Sequence, residues 1–256
     1  MVLSDFLYST LDFSEMKCIG KFFTRLFKIG EGGLYAFILG ALCGFPLGVK
    51  CAAELYESGA IGKDEAERLI GFSNNTGPAF LICGIGLALR GSISDGIILY
   101  LSMVISAALV GIIFSLGKNA AALDFKIPKK RDFSITSSIK NAGTSTLNIC
   151  AYLTFFASAI GIIRTILGEN MLYLSLVSLL EVGSASSILS KTNLLSPVFS
   201  LIFTAFATSF SGFSVHLQAL SFIEKTDISP KKYFIMKTLQ GFISAIVCAF
   251  IAFTVY

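Results

Sequence analysis

The hydrophobic pattern of the chain is a succession of long uncharged runs, several of them interrupted near the middle by residues that disfavour a helix. The clearest run covers residues 69–89, long enough to cross a bilayer as a helix, yet Asn74, Asn75, Thr76, Gly77 and Pro78 stand in a row near its start. In hydrocarbon every backbone N–H and C=O needs a partner, so an unwound turn at depth is tolerated only where it is buried in protein or lines a polar cavity. The pattern predicts a discontinuous helix over residues 64–89, of the kind that builds substrate sites in many secondary transporters. A helix that starts late, at Pro78, would lose half the crossing.

The other runs fall into a repeated order. Residues 13–29 set Ile19, Phe22, Phe23, Leu26 and Phe27 against Lys17, Lys21, Arg25 and Lys28 at helical spacing, which predicts an interfacial amphipathic helix. Residues 33–44 are apolar but too short to span, and they meet a Gly-Phe-Pro-Leu-Gly break at Gly44 to Gly48; with residues 49–55 they form a re-entrant hairpin. A continuous span is expected over 93–116. After a polar, basic stretch at 117–132, residues 134–140 predict a short surface helix and 143–167 a span. Residues 171–191, interrupted after Glu181, predict a second hairpin. Residues 194–223, interrupted between Ser209 and Ser214, predict a second broken helix, and 233–256 the last span.

The expected fold is therefore an all-α polytopic membrane protein with an inverted repeat of re-entrant hairpin, broken helix and continuous span. Its parts are residues 1–30, the amphipathic helix; 31–116, the first repeat; 117–140, a cytoplasmic basic loop and short helix; and 141–256, the second repeat. With five crossings, sixteen Lys and Arg residues from Lys17 to Lys237 fall on one side, against Arg90, Arg164 and Lys191 on the other. That imbalance makes the first side cytoplasmic.

Composition agrees: of 256 residues 54% are apolar and 14% charged, and the mean hydropathy is +0.78, outside the soluble range. The net charge of +4 comes from the clustered topogenic residues, so no nucleic-acid partner is expected. One histidine and six cysteines at spacings that match no zinc or redox motif give no basis for a metal centre or cofactor, and the cysteines are expected as small buried packing residues. No secretory signal is expected at the start, and no catalytic constellation emerges.

The four breaks, near Phe45, Asn75, Gly183 and Gly212, are expected to meet in one polar cavity. Helix N-termini at such breaks present N–H groups and a positive dipole end to an anion. Candidate binding residues are Phe45, Pro46, Gly48, Lys50, Asn74, Asn75, Thr76, Gly183, Ser184, Ser209, Ser211, Ser214, His216 and Gln218; a single serine at such positions more commonly caps or packs a helix. Glu181 stands deep in an apolar run and either carries a coupling proton or cation, or pairs with a buried base. Lys50 either pairs with Glu181 or the solute, or snorkels to the cytoplasmic face. His216 is either a packing residue or a solute contact.

The segments CGFPLGVKCAAELYESGAIGKDEAERLIGFSNNTGPAFLICGIG (43–86), LLEVGSASSIL (179–189) and SFSGFSVHLQALSFI (209–223) resemble the YlbJ family of sporulation integral membrane proteins, also called SpoVV, which carries the nucleoside-recognition or gate domain. The resemblance covers most of the chain from about Lys17 onward. It implies a more distant likeness to concentrative nucleoside transporters and to the membrane part of FeoB. It also implies a role in moving dipicolinic acid across the outer forespore membrane. Dipicolinate is a planar dianion, which helix N-termini, Asn74, Asn75 and Lys50 would suit. The runner-up is a cation- or proton-coupled nucleoside carrier using Glu181, Phe45 and Phe213, and a third reading is a non-transporting sporulation scaffold. Family members usually carry further membrane segments before the amphipathic helix, so a reduced scaffold, an incomplete N-terminus or a homo-oligomer is expected. Membrane lipid and a small anionic solute complete the expected partners.

Overall fold

The computed structural model describes residues 17–30, 32–118 and 134–256. The first part of the amphipathic run and most of the basic stretch, with Lys126, Lys129, Lys130 and Arg131, lie outside the described residues. Every described element is helical. In chain order these are α1 (Lys17–Phe27), α2 (Gly32–Cys43), α3 (Leu47–Glu57), α4 (Lys63–Ser73), a π-helix α5 (Ala79–Leu89), α6 (Ile93–Ile113), α7 (Ile135–Leu167), α8 (Met171–Leu180), α9 (Val182–Lys191), α10 (Pro197–Phe210), α11 (Gly212–Ile223) and α12 (Pro230–Val255).

The polarity of the bundle is reversed relative to a water-soluble protein. On α6 a stripe of Ile97, Leu101, Ile105, Leu109 and Ile113 is exposed at every fourth residue, while Ser102 and Ser106 face inward at 0% exposure. Such a continuous apolar face would promote aggregation in water and is the natural surface toward lipid tails. Inside, serines and threonines return their hydroxyl protons to their own helix, as Ser102 does to the Ile98 carbonyl and Thr208 to that of Thr204. Among the described residues, four segments are long and apolar enough to cross a membrane: α6, α7, the 27 residues of α10 with α11, and α12. A fifth is reached if α1 and α2, which meet at 92°, are taken together.

The expected fifth crossing, residues 64–89, consists of α4 and α5, 11 residues each and too short to span singly. Contacts at its two ends show its reach. At one end the Asp64 carboxylate receives Lys118 at 3.0 Å and Lys232 at 2.6 Å. At the other, Arg90 donates to Asp95 at 2.6 Å, to Ser200 at 3.0 Å and to the Pro197 carbonyl at 2.9 Å. These are the two ends of α6, so α4 and α5 together run the length of a continuous span.

The bases of the helix pairs α2–α3 and α8–α9 lie toward opposite ends of α6. The base of α2–α3 lies by α4's start, where the Tyr56 hydroxyl and Lys63 ammonium both donate to Asp227. The base of α8–α9 lies by Arg90, because Ser200, which Arg90 contacts, donates to the Leu189 carbonyl. In the chain, α2–α3 precedes α4, which starts at Lys63, and α8–α9 precedes α10, whose first turn carries Ser200.

Three expectations are corrected. The surface helix at 134–140 and the span at 143–167 are one helix of 33 residues, α7; Gly143 sits in open space and does not break it, since a lone glycine costs a helix only about 1 kcal/mol. Cys51 and Cys248 are buried, but Cys43, Cys83 and Cys150 are exposed. The amphipathic helix is more than a surface rider: Phe23 and Phe27 of α1 pack with Phe37 and Phe72 at centroid distances of 5.0 to 6.4 Å.

Candidate functional site

Each break has a local cause. Helix α2 ends at Gly44, whose φ of +79° is the left-handed conformation glycine adopts freely. Phe45 and Pro46 turn the chain into α3. Helix α4 ends at Asn74 (ψ 87°), and Pro78, lacking an N–H, opens α5. Between α8 and α9 Glu181 alone is extended. Between α10 and α11, Ser211 and Gly212 have φ of +82° and +71°.

The tips are clamped onto the breaks by backbone contact. A Cβ on Gly40 would lie 1.7 Å from the Ser73 carbonyl oxygen, one on Gly48 2.0 Å from the same atom, and one on Gly44 2.7 Å from the Gly77 nitrogen. The second hairpin sits likewise on the second broken segment, with Gly212 against the Leu180 carbonyl.

Between these tips lies a cavity of about 540 Å³, lined from all four breaks: Cys43 to Phe45, Thr76 and Gly77, Glu181 to Ser184, and Ser214, Val215 and Gln218. Of the sequence-predicted residues, Phe45, Thr76, Glu181, Gly183, Ser184, Ser214 and Gln218 line it. The wall from α7, with Ile149, Tyr152, Leu153 and Ala157, has no counterpart in the sequence reading; a tyrosine inside an apolar helix was the one available signal.

The other candidates lie elsewhere. Gly48 is a packing contact against Ser73, Pro46 forms the tip, and Lys50 is half-buried on the first turn of α3 outside the cavity wall. Ser209 donates to Ser244 at 2.8 Å, and Ser211 to the Ser209 carbonyl at 3.4 Å. Asn74, Asn75 and His216 form a layer behind the wall. There Asn74 donates through its amide to the Tyr233 oxygen at 3.1 Å, and that hydroxyl lies 3.0 Å from His216 Nδ1. Gln240 donates to Asn75 Oδ1 at 2.8 Å, and Asn75 to the Phe72 carbonyl at 2.7 Å. Thr76 bridges to the second broken segment by donating to the Thr208 carbonyl at 2.8 Å.

The layer contains a residue placed differently in the sequence reading. Lys237 counted there as a cytoplasmic topogenic charge, but it is 0% exposed, donating to the Asn74 carbonyl at 2.9 Å and to Gln240 Oε1 at 2.7 Å. Arg68 stays at the end of the bundle where the count put it, beside Asp64, but it is 2% exposed and donates to the carbonyls of Phe27 and Lys28 and to Ser115, closing the open end of α1.

Glu181 also has a different partner from either one expected. Its two carboxylate oxygens accept the Gly183 N–H at 2.7 Å and the Ser184 N–H at 2.5 Å, so it caps α9. The α9 N-terminus is thereby occupied by the protein's own anion. The remaining breaks differ. Of the helices that begin at the ends of the bundle, α6, α7, α8, α10 and α12 carry side-chain caps, from Ser92, Ser134, Asn170, Ser196 and Ser229, while α4 opens on Gly62, whose N–H donates to the Glu65 carboxylate. Helices α3, α5 and α11, which begin at breaks, have none. Four buried polar atoms near the breaks also lack a protein partner among the described residues: Ser73 Oγ, Asn74 Oδ1, Ser214 Oγ and His216 Nε2.

Comparison with known proteins adds a distant likeness. No family model matches the chain, and no solved structure matches it. The sporulation integral membrane protein YlbJ of Bacillus subtilis (strain 168) is 25% identical over 268 aligned residues, covering 88% of this chain. The chain spans 65% of that relative's length. It is a multi-pass integral membrane protein and a distant homologue of that sporulation membrane protein.

Proposed function

We propose that the protein is a transporter of a small organic anion in sporulating cells, with the cavity between the four breaks as its solute site. One observation carries the reading: three helices, α3, α5 and α11, start beside the cavity with no side-chain cap, whereas α6, α7, α8, α10 and α12 each begin on a serine or asparagine whose side chain accepts one of their first N–H groups. Uncapped N–H groups with a positive dipole end suit a carboxylate, and two or three converging on one cavity suit a dianion better than a neutral solute. On this reading the two halves are inverted gate repeats, and alternating access arises as one hairpin and broken segment rocks against the other. The solute crosses without covalent chemistry, with dipicolinate the first candidate and the outer forespore membrane the first location.

A second reading has its own support. Phe45, Phe80 and Tyr152 in the wall, with Gln218, Ser184 and the Glu181 carboxylate, would suit the base and sugar of a nucleoside. Uptake of labelled dipicolinate and of uridine into proteoliposomes separates the two. Dipicolinate alone is expected; uridine alone would move the assignment to a nucleoside carrier, and uptake of neither would favour a scaffold.

A further inference from the structure

The cavity wall contains a carboxylate, Glu181, and no ammonium or guanidinium. A positive charge lies one layer behind it. The Lys237 ammonium is fixed on the Asn74 carbonyl, and Asn74 is two residues from Thr76, which lines the cavity. Among the described residues no carboxylate lies within ion-pair distance of Lys237. The groups facing it are Gln240 and Tyr233 on its own helix, Asn74 and Asn75 on the broken segment, and His216 on α11. All its contacts are dipoles, so when the amine is protonated its charge is left uncancelled inside the bundle, where the low dielectric carries a field much farther than water does.

Tying α12 to the break does not call for that charge. A neutral donor could bridge the Asn74 carbonyl and Gln240 without the desolvation cost of an ammonium. What lysine adds, in its protonated form, is a positive potential. Glu181, the opposing charge in the wall, is already engaged by two N–H groups of α9.

We propose that Lys237 is the charge-selectivity determinant of the cavity: its buried ammonium favours an anionic solute over a neutral one of the same shape without touching it. The inference rests on the transport reading of the cavity. It makes Lys237 a positioning and electrostatic residue, and its distinctive readout is a change in charge preference.

The test measures binding of pyridine dicarboxylate, pyridine monocarboxylate and pyridine carboxamide to the full chain in lipid nanodiscs, with uridine beside them. In the wild type, affinity is expected to fall in that order. Lys237→Gln should weaken dicarboxylate binding by roughly tenfold or more while leaving the carboxamide within about twofold, the effect of a unit charge removed from a low-dielectric site. Lys237→Arg should keep the order. A wild-type series that ignores charge overturns the inference without any variant, as does undiminished dicarboxylate binding by Lys237→Gln. Binding of uridine and carboxamide without dicarboxylate would sink the Lys237 role and leave transport standing. Failure of every probe to bind would sink both.

Discussion

The clamp of the first hairpin on the broken segment gives the most exacting test of the architecture, through Gly48→Ala. The added Cβ would lie 2.0 Å from the Ser73 carbonyl oxygen, 2.4 Å from its carbon and 2.9 Å from the Asn74 nitrogen, whereas real Cβ atoms essentially never approach closer than 3.0 Å. Relief therefore requires about 1 Å of movement. The obstacle is the main chain of the break itself, and Gly40 blocks the same carbonyl from α2, so the break cannot yield without opening the hairpin. Overpacking typically costs ~1–3 kcal/mol, and an immovable backbone neighbour puts this case at the upper end, ~3 kcal/mol. For a chain of this size that is a fall of roughly 6–12 °C in the unfolding midpoint. Thermal unfolding in detergent, followed by reactivity of buried Cys248 in a background whose other cysteines are replaced by serine, measures it. Gly161→Ala is the control: nothing lies within 4 Å of its added Cβ, and it should be neutral or slightly stabilising. If Gly48→Ala and Gly161→Ala unfolded at the same temperature, the backbone contact, and with it the seat of the hairpin on the break, would be refuted.

Three further predictions follow from other parts of the structure. Glu181→Ala removes the cap of α9 at a cost of about 1 kcal/mol, yet it uncovers two N–H groups at the cavity, so pyridine dicarboxylate should bind more tightly; weaker binding would return Glu181 to a direct role in the site. Arg68→Met leaves the Lys28 carbonyl and Asp64 Oδ2 without their donor, Ser115 still serving the Phe27 carbonyl, and should cost about 2 kcal/mol, read as loss of the folded fraction in a denaturant series, with Arg68→Lys recovering only part because it lacks the planar fork. Asp64 lies at the end of the bundle, outside the apolar spans. Burial alone would raise its carboxyl, but hydrogen bonds from Lys232, Lys118 and Arg68 pull it well below the usual carboxylate range. A carboxyl depressed by folding stabilises above its unfolded value and loses that contribution as pH falls toward the folded one. Asp64→Asn should therefore lower the midpoint modestly, by under ~1 kcal/mol for so exposed a group, at neutral pH, and the gap from wild type should close below about pH 4. A gap that persists at acid pH would show the loss to be steric.

What the sequence revealed and what it hid divide along one physical line, between patterns carried by neighbours in the chain and contacts made across it. The breaks were legible because Asn74 to Pro78, Gly44 to Gly48, and Ser211 with Gly212 are locally incompatible with a continuous helix, whatever packs on them. The meeting of the breaks in one cavity was legible as well, since unwound backbone in hydrocarbon must find protein or water somewhere. Side-chain direction was not. Asn74 and Asn75 are the most polar pair in the apolar runs, but they point away from the cavity, toward partners 159 and 165 residues on in the chain. Lys237 shows why the rest was hidden. Five residues beyond Lys232 it continues a basic cluster of the kind that sits at a membrane surface, and only a hydrogen bond across 163 residues, to a carbonyl freed by the break, makes it interior. The same bond explains why a charge is tolerated there: a helix that stops at Asn74 leaves carbonyls without intrahelical donors, and an ammonium carried in on the neighbouring span satisfies one of them. The break and the buried lysine are thus two halves of one solution, so restoring helix through 74–78 should make Lys237 as costly as any unpaired charge in a membrane span.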